Sequence, residues 1–238
     1  MTTQPVKTII LTLLQQGHQN EVAWEQELTQ TERDAIGTPQ LWSARDHLVH
    51  RNFGRQNLIR VVTAILQHQE APPREKVNDE VNAEVFAEQR LRPWSELHAE
   101  SEQVYADLIA LIEQISEDDL LDTHRFTAVV PQGRPMYAAF LGYWYEHGQE
   151  HIVQYYSDRN DFPRAIALRE QCANRVLQVE LPDREWVNGW FLYNLATFYA
   201  EFHYLEQAAA RLQEAVNFYP RNQEIAKSDP ALAALHDQ

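Results

Sequence analysis

Apolar residues recur every three or four positions along most of the chain, which predicts α-helices rather than strands. The first helix is predicted to begin near Pro5, because proline suits a first helical position. Its apolar stripe consists of Val6, Ile10, Leu13, Gly17, Trp24 and Leu28. A second helix is predicted to begin at Ser43, which forms a capping-box-like pair with Asp46, and to extend to about His68. Its inner stripe consists of His50, Phe53, Leu58, Val61 and Ile65.

Two further helices complete this part of the chain. The third is predicted to start at Trp94, after a charged crossover, APPREKVNDEVNAE, whose later part forms a helical turn. The fourth is predicted to run from about Pro135 to about Asp158, after a loop with a short extended piece at FTAVV. No stretch alternates at period two for long enough to form a sheet. The pattern therefore predicts an all-α fold, with a four-helix bundle and one long crossover over residues 1–158.

Residues 159–238 have a different pattern, in which small and large residues are spaced so that two antiparallel helices can pack closely. The spaced residues are Leu195, Ala196, Tyr199, Ala208, Leu212, Ala215 and Pro220. This segment resembles the tetratricopeptide repeat consensus, of which one full copy is visible. A single repeat does not bury its own apolar face, so we expect it to pack on the bundle or on another subunit. We predict a helical hairpin that serves stability or dimerisation rather than peptide binding.

Composition and charge narrow the range of partners. A net charge of −15 argues against nucleic acid, because phosphate binding needs clustered Lys and Arg, and it disfavours anionic membranes for the same reason. The run TIILTLL is too short to span a bilayer, and no cleavage site marks it as a signal peptide. We therefore predict a cytoplasmic protein that binds neither nucleic acid nor membrane. Cys172 is the single cysteine, which excludes an internal disulfide and a Cys-rich zinc site, and we predict that its thiol is buried.

Two histidines interrupt the aromatic run of the fourth helix, LGYWYEHGQEHIVQYY. At helical spacing, His147 and His151 continue a stripe that is predicted to face the bundle interior. The aromatic members of that stripe are Phe140, Tyr143, Trp144 and Tyr155. Residues four apart on a helix have neighbouring side chains, so both imidazoles can bind one cation at about 2.0 to 2.1 Å. His50, on the inner stripe of the second helix, is the candidate third ligand. The sequence therefore predicts a metal site formed by His50, His147 and His151.

Two other interpretations of this motif remain open. HGQEH matches the His-x-x-Glu-His pattern of inverted zinc peptidases, in which the glutamate, here Glu150, acts as general base. Those enzymes have a much larger mixed α/β framework, and a five-residue match arises easily by chance. The spacing can also be coincidental in a chain with 10 histidines, in which case the imidazoles serve packing alone.

The start of the second helix resembles a known family. WSARDHLVHRN, Trp42 to Asn52, is similar to the WTxxDxLxHL signature of the DinB-like superfamily of metal-binding four-helix bundles. The matching positions are Trp42, Ser43, Asp46, Leu48 and His50. His147 and His151 match the His-x-x-x-His of that superfamily's fourth helix, and the segment from NAEVF to SEDDL resembles the third-helix region of its DfsB-like branch. The likeness covers about residues 5 to 158.

The resemblance implies that His50, His147 and His151 hold a divalent metal, commonly zinc or nickel, with open positions for water or substrate. Members of the superfamily include transferases and isomerases that use low-molecular-weight thiols. This implies a small-molecule substrate, either a thiol or a small electrophile, and transferase or hydrolase chemistry. Relatives often dimerise, so a homodimer is one expectation. In relatives, Leu and an aromatic residue usually follow the histidine of the second helix, whereas this chain has Arg51 and Asn52 after His50. This difference weakens the transfer of any particular substrate from the relatives to this chain.

Three functions agree with these features. The first is a metal-dependent enzyme of the DinB-like type, and the second is a non-catalytic metal- or ligand-binding protein that recruits a partner through its C-terminal helices. The third is a structural dimer without an ion. Asp46 is expected either to orient the imidazole of His50 or to supply negative charge at the helix N-terminus. Glu150 is expected either beside the ligands or on the surface.

Overall fold

The computed structural model describes residues 4–72, 79–89 and 91–236, and its regular elements in these ranges are helical. Residues 73–78 of the predicted crossover lie outside the described residues. Within these ranges, the one β interaction is an isolated bridge between Thr38 and Leu41, so the predicted all-α class is confirmed. The extended piece expected at FTAVV is wrong. The carbonyl of Phe126 accepts hydrogen bonds from the N–H groups of Val129 and Val130, which curls this segment and buries all three side chains.

Residues 4–165 form one compact unit around four long helices. In chain order the helices are α1 (Val6–Glu27), α2 (Gln30–Asp34), α3 (Ala44–Leu66), α4 (Asp79–Gln89), α5 (Trp94–Gln114), α6 (Glu117–Leu121), α7 (Tyr137–Ala139) and α8 (His147–Ser157). A π-helical segment, Phe140–Glu146, joins α7 to α8, so the fourth long helix is continuous. Helices α1 and α3 each contact both α5 and the fourth helix, and Ile10, Leu108 and Phe140 are fully buried between them.

A capping box fixes where α3 begins. The Ser43 hydroxyl accepts a hydrogen bond from the N–H of Asp46 at 3.3 Å, and the Asp46 carboxylate accepts one from the N–H of Ser43 at 2.9 Å. This reciprocal pair satisfies two backbone donors that the first turn of a helix leaves without partners. The predicted helix start is therefore confirmed. His47 and His50 follow within the first two turns of α3 and contact His151 and His147 of α8.

The π-helical segment changes which aromatic residues face inward. We expected Tyr143 to lie on the interior stripe, but it is 36% exposed, whereas Tyr145 is 1% exposed. The wider turn of a π-helix shifts the inward positions by about one residue relative to an α-helix. Phe140, Trp144 and Tyr155 are buried as expected. The chain returns to α-helical geometry at His147, so the two histidines keep their four-residue spacing on one face.

The chain from Ile166 onward forms a second compact unit. Its helices are α9 (Phe162–Leu177), within which the division falls, α10 (Arg184–Glu201), α11 (Leu205–Phe218), α12 (Asn222–Ala226), a 3-10 turn (Pro230–Leu232) and α13 (Ala233–His236). Helices α10 and α11 pack against each other, and the small side chains of Ala196, Ala208 and Ala215 are buried. The amide of Asn222 donates hydrogen bonds to the carbonyls of Gly189 and Ala215, at 3.0 and 3.2 Å, and so fastens α12 to both helices.

Across the described ranges, no helix combines the length and the apolar character that crossing a bilayer would require.

Candidate metal centre

Three histidines from two helices bring their ring nitrogens together in the unit formed by residues 4–165. Helix α3 supplies His50, and α8 supplies His147 and His151, one turn apart. The Nε2 of His147 lies 3.3 Å from the Nε2 of His50 and 3.0 Å from the Nε2 of His151. Within the described ranges, these three residues form the one group whose potential ligand atoms are close enough for a common ion, all within 4.8 Å of one another.

The spacing of these nitrogens suits a tetrahedral cation. Two imidazole nitrogens that each bind one ion at about 2.05 Å in tetrahedral geometry are about 3.3 Å apart. The two separations around His147, 3.3 and 3.0 Å, agree with that value to within a few tenths of an ångström. Imidazole is also a preferred ligand of zinc and nickel. The donor atoms and their spacing are therefore compatible with the divalent ion expected from the sequence.

Each of the three rings has a partner at its other nitrogen. The Nδ1 of His50 is 2.9 Å from the side-chain oxygen of Asn82 on α4, and the Nδ1 of His147 is 3.4 Å from a carboxylate oxygen of Glu150. The Nδ1 of His151 is 3.2 Å from the Nδ1 of His47. Outer partners of this kind fix the tautomer and the orientation of metal-binding histidines. All three rings are therefore held with Nε2 directed at a common point.

Burial keeps three imidazoles of this cluster uncharged. Burial, together with the neighbouring His147, lowers the pKa of His50 from 6.5 to about 4. Burial also lowers the pKa of His151 and of His47 well below 6.5, and the nearby Arg51 adds to the effect at both. An imidazole must be unprotonated to bind a metal ion. The environment therefore favours the protonation state that coordination needs.

The cluster has an aromatic wall and an open side. The indole of Trp42 lies against three histidines, with ring centroids 5.3 Å from His47, 5.2 Å from His50 and 5.8 Å from His151. Phe86 of α4 packs against the same indole. On the other side, the side chains of His147 and Glu150 are each 42% exposed. The candidate centre therefore borders solvent at His147.

Buried ion pairs support the helices beside the cluster. Arg51 pairs with Glu25 at 3.1 Å, and Arg55 binds Glu21 through two hydrogen bonds of 2.9 and 2.5 Å. Burial by itself raises the pKa of the Glu21 carboxyl, but the guanidinium groups of Arg55 and Arg51 reverse this and hold that pKa well below its usual value. Arg51, one of the two residues noted above as departing from the DinB-like pattern, thus joins α3 to α1 within the core.

The structure brings the three predicted histidines together. It also gives the surroundings of the other three residues considered from the sequence, Asp46, Glu150 and Cys172. The carboxylate of Asp46 completes the capping box of α3 and lies in the first turn of that helix. Glu150 contacts His147, so it lies beside the ligands while remaining partly exposed. Cys172 is buried, as expected.

Two contributors to the centre were missed by sequence reasoning. His47 precedes His50 by three residues on the same helix, and this spacing was a signal that could have found it. Asn82 lies in the crossover, where no periodicity pointed to the site.

Comparison of the chain with protein-family models, with curated proteins and with solved structures gives no match.

Proposed function

We propose that this protein is a metal-dependent enzyme of the DinB-like type, which holds a divalent zinc or nickel ion through His50, His147 and His151. The proposed reaction is either the transfer of a thiol to a small electrophile or the hydrolysis of a small substrate. One observation supports the proposal most directly: the Nε2 of His147 lies 3.3 and 3.0 Å from those of His50 and His151, and potential ligand atoms of all three residues lie within 4.8 Å of one another beside a partly exposed side.

The chain's own residues have distinct roles in this proposal. When bound, a divalent ion with three imidazole ligands acts as a Lewis acid and lowers the pKa of a water or thiol at its open position. His147 lies at the solvent side and borders the path by which a substrate arrives. Asn82 and Glu150 orient the rings of His50 and His147 through their Nδ1 atoms. Trp42 covers the buried side and keeps bulk water from it.

The position of Glu150 favours this function over a peptidase. In the His-x-x-Glu-His peptidases the glutamate acts as general base on a water at the metal. Here the carboxylate of Glu150 lies near the Nδ1 of His147, on the far side of that ring from the Nε2 cluster. A base in that position orients the ligand rather than the water. If Glu150→Ala kept its metal and lost a proteolytic activity of the wild type, the peptidase would be the better assignment.

We also propose the DinB-like four-helix bundle for residues 4–165 and a tetratricopeptide-like hairpin for the second unit. Support for the bundle comes from four long helices in a closed ring of contacts, with the candidate ligands on the second and fourth. Support for the hairpin comes from the buried alanines between α10 and α11.

Metal analysis tests the site. Tag-free protein, purified without added metal and then equilibrated with Zn²⁺ or Ni²⁺, should hold about one ion per chain by elemental analysis, as one three-histidine site would. His147→Ala should lose the ion and keep its helical circular dichroism, because packing of apolar faces supplies most of the stability. His124→Ala, at an exposed histidine away from the cluster, is the matched control and should bind normally. A wild-type protein that binds no ion would refute the proposed site.

Activity is tested separately. Metal-loaded protein should accelerate transfer of bacillithiol, mycothiol or glutathione to small electrophiles, and His147→Ala should not. A protein that binds its ion and is silent with all three thiols and with hydrolysable substrates would favour the non-catalytic binding protein instead.

A further inference from the structure

We infer that His47 is a positioning residue of the metal centre: it accepts a hydrogen bond from the Nδ1–H of His151 and so holds His151 in the tautomer that presents Nε2 to a cation. This inference rests on the proposed metal site. It adds to that site a residue that does not itself reach the ion.

The two ring nitrogens of His151 face different partners. Its Nε2 lies 3.0 Å from the Nε2 of His147, within the cluster of potential ligand atoms. Its Nδ1 lies 3.2 Å from the Nδ1 of His47, within hydrogen-bond distance. One nitrogen is therefore directed at the cation position, and the other is directed at His47.

A hydrogen bond between two Nδ1 atoms holds one proton, so it has a direction. A nitrogen that binds a metal carries no proton, and a neutral His151 bound through Nε2 therefore keeps its proton on Nδ1. That N–H must donate, and the Nδ1 of His47 must accept. His47 then carries its own proton on Nε2. In the opposite direction the proton of His151 lies on Nε2, where it blocks coordination.

The position of His47 is fixed by the core packing around it. The residue is fully buried, and its ring is close to those of Trp42 and Tyr155. Helix α3 presents it three residues before His50, on the face turned toward α8. Its position is thus set by the same helix that sets one of the ligands.

Stability alone does not explain an imidazole at this position. Among the described residues, the Nε2 of His47 has no hydrogen-bond partner. A buried polar atom without a partner is unfavourable for folding, so the imidazole of His47 carries a cost that its hydrogen bond to His151 must offset. Buried polar atoms without a partner are expected where function requires them. The hydrogen bond to His151 supplies that function.

Two substitutions place different atoms where the Nδ1 of His47 lies. In His47→Asn the side-chain oxygen occupies that position and can accept a hydrogen bond, whereas in His47→Leu a methyl group of similar size cannot. We expect the Zn²⁺ affinity of His47→Leu to fall about 10- to 100-fold, and its metal-free form to melt somewhat below wild type, because the buried Nδ1 of His151 loses its partner. His47→Asn should recover most of that affinity. Competition with a chromophoric chelator measures the affinity, and the Co²⁺ absorption spectrum reports the geometry.

Nuclear magnetic resonance tests the same inference on the full wild-type chain. Long-range ¹H–¹⁵N spectra of the Zn²⁺-loaded protein should show His151 protonated at Nδ1 and His47 protonated at Nε2. This measurement remains decisive if His47→Leu does not fold.

The outcomes separate the two proposals. Equal Zn²⁺ affinity in His47→Leu and wild type overturns the role of His47, as does a loss that His47→Asn fails to restore, or a His47 protonated at Nδ1 in the loaded protein. A wild-type chain that binds no Zn²⁺ overturns the metal site and this inference together. A protein that binds Zn²⁺ in the expected order of variants but has no activity supports the inference and refutes only the catalytic part of the proposed function.

Discussion

Gly148 lies between the two histidines of α8 because a side chain there would collide with a buried ion pair. A Cβ at this position would come within 2.5 Å of an Arg55 nitrogen and 2.6 Å of a Glu21 oxygen. Both charged groups are buried and paired with each other, so neither can move into water without a large penalty. The glycine in HGQEH is therefore explained by packing against α1 and α3.

Substitution of this glycine should destabilise the protein. Gly148→Ala forces the Arg55–Glu21 pair to shift, and we expect the free energy of unfolding to fall by about 1–3 kcal/mol. Gly54→Ala is the matched control, because a Cβ at Gly54 would meet nothing within 4 Å. In that helix the change to Ala should instead stabilise by up to about 1 kcal/mol. Chemical denaturation monitored by circular dichroism compares the two, and a Gly148→Ala variant as stable as Gly54→Ala would contradict the explanation.

At the scale of residues, the sequence was sufficient to predict that three histidines lie close together, and insufficient to predict the residues that contact them. His50, His147 and His151 follow from helical periodicity, because inward-facing positions on packed helices must converge. Asn82 contacts His50 through a tertiary arrangement that no local pattern encodes. Arg51 was noticed as a departure from a family pattern, but its partners on α1 depend on how the helices pack.

At the scale of elements, the four long helices were predictable and the short ones were less so. Long helices have an apolar stripe that repeats over many turns, and α3 has in addition a recognisable capping box. The crossover was expected to contain only a helical turn, whereas its later part forms the 11-residue helix α4. The π-helical segment was also missed. It differs from an α-helix by a register shift that cannot be predicted from the amino-acid types.

Helix α4 should respond to metal, because Asn82 connects it to His50 and Phe86 connects it to Trp42. Hydrogen exchange of peptides covering α4 should slow when Zn²⁺ is added. Asn82→Leu removes the acceptor for the Nδ1–H of His50, and we expect it to abolish this protection and to weaken Zn²⁺ binding about 10-fold or more.

Peptides from α11 in the second unit provide the internal reference for this exchange measurement. Unchanged exchange in α4 at saturating Zn²⁺ would show that the helix is not coupled to the site.

At the scale of the whole molecule, lowering the pH should reduce the free energy of unfolding through the buried histidines. The pKa values of His47, His50 and His151 are lowered in the folded protein, that of His50 to about 4, and each returns to about 6.5 on unfolding. Below pH 6.5 the unfolded chain therefore binds protons that the folded protein does not bind. The free energy of unfolding must fall as the pH falls through this range.

The metal-free protein should accordingly have a urea midpoint that decreases steadily from pH 6.5 to pH 4. Above pH 6.5 both states are uncharged at these histidines, so they should cause no further change there. His50→Gln removes one of the three groups and should reduce the slope, whereas His124→Gln, at an exposed histidine, should leave it nearly unchanged. Circular dichroism in the presence of a chelator measures the midpoints, and a midpoint independent of pH across this range would contradict the assignment of buried neutral imidazoles.

The contact of Trp42 with three imidazoles gives the protein an intrinsic optical probe. Of the chain's 6 tryptophans, Trp42 packs on His47, His50 and His151. Emission from this indole should be quenched when Co²⁺ or Cu²⁺ arrives a few ångströms away, and Trp42→Phe should remove most of that signal. Occupancy can then be followed by fluorescence in unlabelled protein, in real time and at micromolar concentration.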